Sequence, residues 1–352
     1  MERFAYIPAI LPDWYAAHAR ALPWRQDREP YHVWISEIML QQTRVEAVIG
    51  YYLRFLRELP TVQALAAVED DQLMKLWEGL GYYNRARNLK KAAQLLVERY
   101  HGVFPAVYDE IRALPGVGAY TAGAIASICF DLPTPAVDGN VLRVCARLNE
   151  DGRNIDKETT KKQVAAELQP LYRPGLCGIL TQSLMELGAC VCVPNGNPKC
   201  TECPLAAHCL ANAHTSWAGF PVRDAKKQRK RVEKTVLFLK CGDRYAVRKR
   251  KSTGLLANLW EFPNVDTAPA SEDDALRRAA EIAADWGTSP AQLLMQTAYT
   301  HIFTHVEWHM TCYYFECREM PDAFVWASAA ELQNTYALPS AFRPFLDAGM
   351  QL

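Results

Sequence analysis

The sequence predicts a multidomain protein in which an all-helical domain is followed by a smaller α+β domain. Three observations carry this. At 352 residues the chain is long for one hydrophobic core and suited to two. From residue 12 to about 190, apolar residues recur at the helical period in segments broken by Gly, Pro or Asp. After Glu233 the texture changes to short β-branched and aromatic runs bounded by turn residues. Half of the residues are apolar and 22% are charged, a globular composition and not that of a disordered chain.

The elements follow in order. In VWISEIMLQQTRVEAVIGYYLRFL, the residues Ile35, Ile38, Val45, Ile49, Tyr52 and Leu56 recur near the helical period. Glu37 shares a stripe with Gln41 and Arg44, the usual pattern of a solvated helix face. LMKLWEGL, RNLKKAAQLLVERY, YTAGAIASICF, VLRVCARL and KKQVAAELQPLY read as further helices. A Cys-rich loop over 190–210 closes a helical domain assigned to 1–214. SWAGFPVRDAKKQRKRVEK lacks an apolar period, so 215–232 reads as a basic linker before a domain over 233–352. That domain opens with a hairpin, Thr235–Leu239 and Tyr245–Val247 around a turn at Cys241, Gly242 and Asp243. DALRRAAEIAADWG reads as a helix and HMTCYYFEC as a further strand.

Lys plus Arg equals Asp plus Glu, 39 against 39, so any attraction to an anionic partner must be local. The local candidate is Arg223, Lys226, Lys227, Arg229, Lys230, Arg231 and Lys234, which reads equally as a solvated hinge. Eleven cysteines, an odd number in a large chain, argue against a secreted disulfide framework. The chain opens without a basic segment followed by an apolar one, and no apolar run approaches the ~20 residues of a bilayer span. The expectation is a soluble protein of a reducing compartment, without a membrane.

Cys192, Cys200, Cys203 and Cys209 have the spacing C-x7-C-x2-C-x5-C. Thiolates this close usually share a metal, and the spacing admits zinc or an iron–sulfur cube. Buried structural thiols are the bland alternative, and Cys190 competes with Cys192 as first ligand. The remaining six cysteines read as small core residues. LPGVGAYTAGAIASI is a Gly-x-Gly turn opening an apolar helix; its backbone N–H groups suit a phosphate, although packed helices also use such turns. Asp138, before VLRVCARL, reads in isolation as a helix cap. Spacing alone selects neither Glu37 nor Asp138 as catalytic.

Together these motifs resemble the helix-hairpin-helix DNA glycosylases that carry an iron–sulfur cluster. LPWR (Leu22–Arg25), WISEIMLQQT (Trp34–Thr43), GLGYYNRARNL (Gly79–Leu89), LPGVGAYTAGAI and VDGN narrow the resemblance to the MutY-type adenine glycosylases. GLLANLWEFP (Gly254–Pro263) and HIFTHVEWHM (His301–Met310) extend it across nearly the whole chain. The second half resembles the family's Nudix-like reader of oxidised guanine, yet its helix lacks the carboxylate set that holds Mg²⁺ in Nudix hydrolases, so recognition without hydrolysis is expected.

The resemblance implies roles. Glu37 would be the acid that protonates adenine and Asp138 the ionised stabiliser of the sugar, with Tyr120 and Asn140 supporting both. Trp24, Arg25, Leu40 and Gln182 would line the adenine pocket. Tyr82 with Gln42 would enter the duplex, Thr43 would contact the DNA, and Gly116, Val117 and Gly118 would hold a phosphate. Phe303, Thr304 and His305 would read 8-oxoguanine. Cys192, Cys200, Cys203 and Cys209 would hold one 4Fe–4S cluster in preference to zinc, although the family's usual first gap of six residues is seven here. The implied partner is duplex DNA with adenine opposite 8-oxoguanine or guanine, bound by a monomer in a bacterial cytoplasm or nucleoid. In the related endonuclease III type, the position of Tyr120 is a Lys that attacks the sugar. Tyr120 thus points to a hydrolytic, monofunctional enzyme over a pyrimidine glycosylase with lyase activity. A non-catalytic damage sensor and a Nudix pyrophosphohydrolase are the remaining readings.

Overall fold

A computed structural model describes residues 4–225, 228–267 and 271–352. Contacts divide the chain into two units, Met1–Ala67 with Arg87–Ala225, and Val68–Ala86 with Lys226–Leu352. No helix of the described residues is long and apolar enough to cross a membrane.

The first unit is helical. It opens with α1 (Ile7–His18), a 3-10 turn (Pro23–Arg25), α2 (Pro30–Leu40), α3 (Val45–Glu58) and α4 (Val62–Ala67). After α5 (Asp70–Leu76), which falls in the second unit, come α6 (Asn84–Tyr100), α7 (Tyr108–Arg112), α8 (Ala119–Phe130) and α9 (Gly139–Leu148). It ends with α10 (Glu158–Leu168), α11 (Cys177–Cys190) and the short α12 (Leu210–Ala213). Helix α11 packs on α1, α8 and α9; Leu180, Leu184 and Leu187 meet Ile7, Leu11, Val141 and Val144 in one apolar cluster. Glycine permits the closest approaches: a Cβ at Gly188 would lie 2.5 Å from Asn140 Cβ, and one at Gly123 2.7 Å from the Pro135 carbonyl.

The apolar stripe from Ile35 to Leu56 is not one helix. Helix α2 stops at Leu40, Gln42 adopts φ +56°, and α3 starts afresh at Val45. The buried face of α3 is Val48, Tyr52 and Phe55. The expected solvated stripe also fails, because α2 is enclosed on all sides, Val33 through Met39 being buried with Glu37 among them.

In the second unit, β1 (Lys230–Cys241), β2 (Arg244–Lys249), β3 (Trp260–Glu261), β4 (Asn264–Asp266), β5 (Pro290–Ile302), β6 (Val306–Cys317) and β7 (Val325–Ser328) form a mixed sheet. Its path is β3-β2-β1-β6-β5, with β1 and β6 parallel and β5 and β6 antiparallel. Strand β1 is buried on both faces. Val236 and Phe238 join the cluster of α14 (Ala329–Asn334) and α15 (Arg343–Gly349). Leu237 and Leu239 join that of α13 (Glu272–Asp285). The expected hairpin, helix and strand are all present.

The segment expected as linker is largely structured. Ile155 N–H donates to Val222 (3.0 Å) and Arg147 Nε to Phe220 (3.0 Å), which ties the chain before Ala225 to the helical unit. Strand β1 then starts at Lys230. Of the basic cluster, Lys226 and Lys227 lie outside the described residues. Arg229 pairs with Glu307 and Arg231 with Glu233. Lys234 is buried against Asp266 and the Trp308 ring. Residues 68–86 group with the sheet because Lys75 donates to the carbonyls of Leu332 and Tyr336, and Glu78 accepts from Leu338 N–H.

Candidate active site

Glu37 sits in the last turns of α2 and is 6% exposed. The Tyr120 hydroxyl, on the first turn of α8, donates to its Oε2. Burial raises the Glu37 carboxyl from 4.5 to about 7; the Tyr120 bond opposes this, the Asp138 charge adds to it, and Arg25 opposes it weakly. Burial, then the Glu37 and Asp138 charges, hold the Tyr120 phenol well above its ordinary value, so it stays a donor. The Asp138 charge thus reaches Glu37 from 101 positions away in sequence.

Asp138 caps α9, as its sequence context suggests: Oδ1 accepts from Val141 N–H at 2.8 Å. Its Oδ2 accepts from the Asn140 amide at 2.7 Å. Burial moves the carboxyl upward, opposed by the Val141 and Asn140 donors and by Arg143. Arg143 donates to Asn140 Oδ1 (2.9 Å), Gly188 O (2.7 Å) and Cys192 O (2.7 Å), joining the capping residues to the start of the cysteine loop. Sequence reasoning missed Arg143 and Gly188. Two Arg residues four apart, Arg143 and Arg147, in an otherwise apolar helix were the available signal for the first.

A second acidic centre adjoins this one. Glu186 on α11 is fully buried and accepts from Arg20 N (3.0 Å), Arg20 Nε (2.8 Å), Arg20 Nη2 (2.8 Å) and Arg25 Nη2 (2.7 Å). The Arg25 guanidinium lies 5.5 Å from the Tyr15 ring centre, and the Tyr15 hydroxyl donates to Gln182 (3.1 Å). The structure therefore gathers Arg25 and Gln182, two expected pocket residues, around unexpected partners. Leu40, the third, is partly exposed at the end of α2. Trp24 is buried edge-on to Tyr52, a core position.

At the Gly-x-Gly turn, Gly116 has φ +76°, and a Cβ there would lie 2.6 Å from Asn88. Val117 departs from the expected phosphate cradle: its N–H bonds to the Leu114 carbonyl (3.0 Å) and its side chain is buried. The cradle narrows to Gly116, Gly118 and the open first turn of α8. Gln42 is exposed beside the partly buried Thr43.

In the second unit, Tyr82 is 47% exposed and held at φ +47°. Arg85 fixes that turn by donating to the Leu80 (2.9 Å) and Gly81 (3.1 Å) carbonyls. A bulky residue with left-handed backbone is unusual and clusters at functional sites. Phe303, Thr304 and His305 form the turn between β5 and β6, and the Tyr82 hydroxyl bonds Thr304 Oγ1 at 2.6 Å. The expected duplex-entering side chain and the expected reader side chain thus meet.

Cys192, Cys200, Cys203 and Cys209 line one hollow with Arg147 and Trp217. Burial and neighbouring Cys sulfurs push Cys200, Cys203 and Cys209 upward, Cys203 to about 12. Ionising all of these sulfurs calls for positive charge among them. Arg147 Nη1 donates to Cys192 Sγ at 3.3 Å. Among the described residues, no three His, Cys, Asp or Glu side chains are gathered to hold a single metal ion. Four soft donors around one hollow fit a metal centre, whether an iron–sulfur cluster or a tetrahedral zinc. Cys190 lies against Glu186 and is not among the residues lining the hollow. The seven-residue gap is absorbed by an outward loop, exposed over 194–197 and closed by a Lys199 N–H bond to Val191 (3.0 Å).

The fold is that of a base-excision DNA glycosylase, a hydrolase of N-glycosyl compounds. A model of the HhH-GPD superfamily of base excision DNA repair proteins matches residues 35–174, and a NUDIX domain model matches 235–348. Among solved structures, a thermostable thymine-DNA glycosylase superposes with a TM-score of 0.53 at 26% identity, covering 60% of this chain and 97% of that one. The rat adenine DNA glycosylase is 34% identical, covering 84% of this chain and 68% of that protein. The Buchnera aphidicola (Acyrthosiphon pisum) adenine DNA glycosylase is 32% identical, covering 87% and 86%. The chain belongs to the adenine DNA glycosylase family, as the motif resemblance implied.

Proposed function

We propose that the enzyme removes adenine paired with 8-oxoguanine, or with guanine, by hydrolysing the N-glycosidic bond of a nucleotide turned out of duplex DNA. The observation that carries this is Glu37, a carboxyl buried in α2 with the Tyr120 hydroxyl on its Oε2; burial raises it to about 7. With Asp138 it divides the work of glycosyl cleavage: one carboxyl keeps a proton and its mate carries charge. Tyr120 occupies Glu37 Oε2, so the transferable proton belongs on Oε1, to be given to the imidazole-ring nitrogen of adenine as the bond to the sugar breaks. Asp138, held by Val141 and Asn140, stabilises the oxocarbenium-like sugar until water adds. Arg25, Leu40 and Gln182 contact the base, and Trp24 backs the pocket from the core.

Turning the base out costs a few kcal/mol, which a mispair lowers. Tyr82 with Gln42 enters the duplex, Thr43 contacts the DNA beside them, and Gly116 and Gly118 hold the backbone. Thr304, with Phe303 and His305, reads the opposite base; its bond to Tyr82 supports a shared reading of that base and the opened stack. Cys192, Cys200, Cys203 and Cys209 would hold a 4Fe–4S cluster, which when bound supplies fold stability to the loop. The substrate places the enzyme on the chromosome, as a monomer in a reducing cytoplasm.

The test is single-turnover cleavage of duplexes with adenine opposite 8-oxoguanine, guanine or cytosine. Adenine release in that order of preference, without strand scission or borohydride trapping, is the expected result. Release of thymine or an oxidised pyrimidine, or a trapped covalent adduct, would replace this reading with the lyase one.

A further inference from the structure

The turn that carries Tyr82 is tethered by contacts that base cleavage leaves unexplained. Gly79, Gly81 and Tyr82 all have positive φ (+98°, +68° and +47°), so the backbone alone does not favour this path for Tyr82. Local bonds close the turn: the Trp77 indole N–H donates to the Gly81 carbonyl (3.1 Å), beside the two bonds from Arg85. They fix its shape but not what it faces.

Its seat is made by Lys75, in the last turn of α5, and Glu78, three positions on. The two side chains pair at 2.7 Å and are 16% and 18% exposed. An ammonium has three N–H donors, and Lys75 has three acceptors: Glu78 Oε2, the Leu332 carbonyl (3.3 Å) and the Tyr336 carbonyl (3.2 Å). Leu332 lies in the last turn of α14, where carbonyls lack helical partners and favour a cation. The other oxygen of Glu78, Oε1, accepts from Leu338 N–H (2.9 Å). Enclosed ion pairs add little stability over an apolar contact, and their best attested use is to set register. Here the register is with the core under the turn between β5 and β6. Leu332 and Leu338 are buried in the cluster that includes Trp308, and Tyr336 and Phe303 pack against it. Phe303 rests edge-on to Trp308, ring centres 4.9 Å apart. Thr304 follows directly, and its hydroxyl meets that of Tyr82 at 2.6 Å.

We propose that Lys75 and Glu78 are positioning residues for discrimination of the base opposite adenine: they seat the Tyr82 turn on the core that carries Phe303, and so hold the Tyr82 hydroxyl against Thr304. This rests on the reading of Tyr82 and Thr304 as the side chains that meet the opened stack and the opposite base. Without the pair, the turn keeps its Trp77 and Arg85 bonds but loses its register with Thr304.

The test is single-turnover adenine release by the full chain, opposite 8-oxoguanine and opposite guanine, with the rate ratio as readout. Lys75→Met/Glu78→Gln removes both charges at nearly constant shape. It should narrow the ratio about fivefold, the worth of the one Tyr82–Thr304 hydrogen bond. In a Thr304→Ala background the same two changes should narrow it no further, because that bond is already gone. Lys75→Arg, which keeps charge and donors, should stay close to the native ratio. A merely structural pair would lower the urea midpoint and slow both substrates equally. An unmoved ratio, or a narrowing that multiplies with that of Thr304→Ala, would overturn the proposal. If the double variant does not fold, Lys75→Met alone decides by the same two criteria. Tyr82→Phe, measured alongside, separates the failures. A native ratio in both Tyr82→Phe and Thr304→Ala sinks the reading and the anchor with it; a narrowed ratio there, with an unmoved one in Lys75→Met/Glu78→Gln, sinks only the anchor.

Discussion

Glu37→Gln should abolish adenine release while stabilising the protein at alkaline pH. The native carboxyl lies at about 7 against an ordinary 4.5, because burial disfavours its charge. A carboxyl raised on folding contributes stability that is complete below its unfolded value and is lost as pH climbs through its folded value. The gap of about 2.5 in pKa at about 1.4 kcal/mol per unit makes that loss about 3 kcal/mol between about pH 4.5 and pH 8. Gln keeps the shape and an acceptor for Tyr120 but never ionises. The stability difference, variant minus native, should therefore grow by about 3 kcal/mol over that interval. Urea unfolding at both pH values, read by circular dichroism at helix wavelengths, measures it. A difference that stays constant with pH would refute the buried, raised acid, whatever happened to activity.

Tyr120→Phe should move the alkaline limb of the rate profile to higher pH, since the lost hydrogen bond favours the ionised form of Glu37, and should lower the rate at its optimum; the profile itself is the measurement. Gly188→Ala would drive a methyl against Asn140 Cβ, 2.5 Å away, costing about 1–3 kcal/mol in denaturant unfolding. Because Asn140 holds Asp138, cleavage at saturating DNA should fall about 100-fold, the penalty of misplacing a reacting group by about 1 Å. Thr304→Ala should narrow the rate ratio between 8-oxoguanine and guanine opposite adenine by about fivefold, the worth of a hydrogen bond of about 1 kcal/mol; a ratio that did not change would remove Thr304 from recognition.

The architecture was legible because both halves announce their period. The Thr235–Leu239 strand is apolar at successive positions because both faces of the sheet are covered, one by α13 and the other by α14 and α15. Pattern failed where tertiary enclosure overrode it. Glu37 lies on a stripe that normally meets solvent, but α2 has no solvent side, and a carboxyl flanked by Ile, Met and Leu was the only warning. Asp138 was read correctly as a cap, and capping is how the fold aims it. The sites' remaining parts are contacts between residues remote in sequence: Tyr120 meets Glu37 across 83 positions, and Arg20 meets Glu186 across 166. No local period encodes such pairs. The Val117 N–H was misjudged because a Gly-x-Gly turn does not say which of its donors the turn itself uses. Likewise, the run from Arg229 to Lys234 read as one basic patch, whereas strand alternation and acidic neighbours divide it.

The central claim is that two carboxyls cleave one bond, the first as a proton donor and the second as an anion. Single-turnover release of adenine opposite 8-oxoguanine by Asp138→Asn, across the pH range and beside a mismatch-binding assay, tests it most directly. The account predicts tight binding, no release, and a native rate profile that rises with ionisation of Asp138 and falls with that of Glu37. Release by Asp138→Asn at close to the native rate, or a native profile without a descending limb near neutral pH, would contradict it.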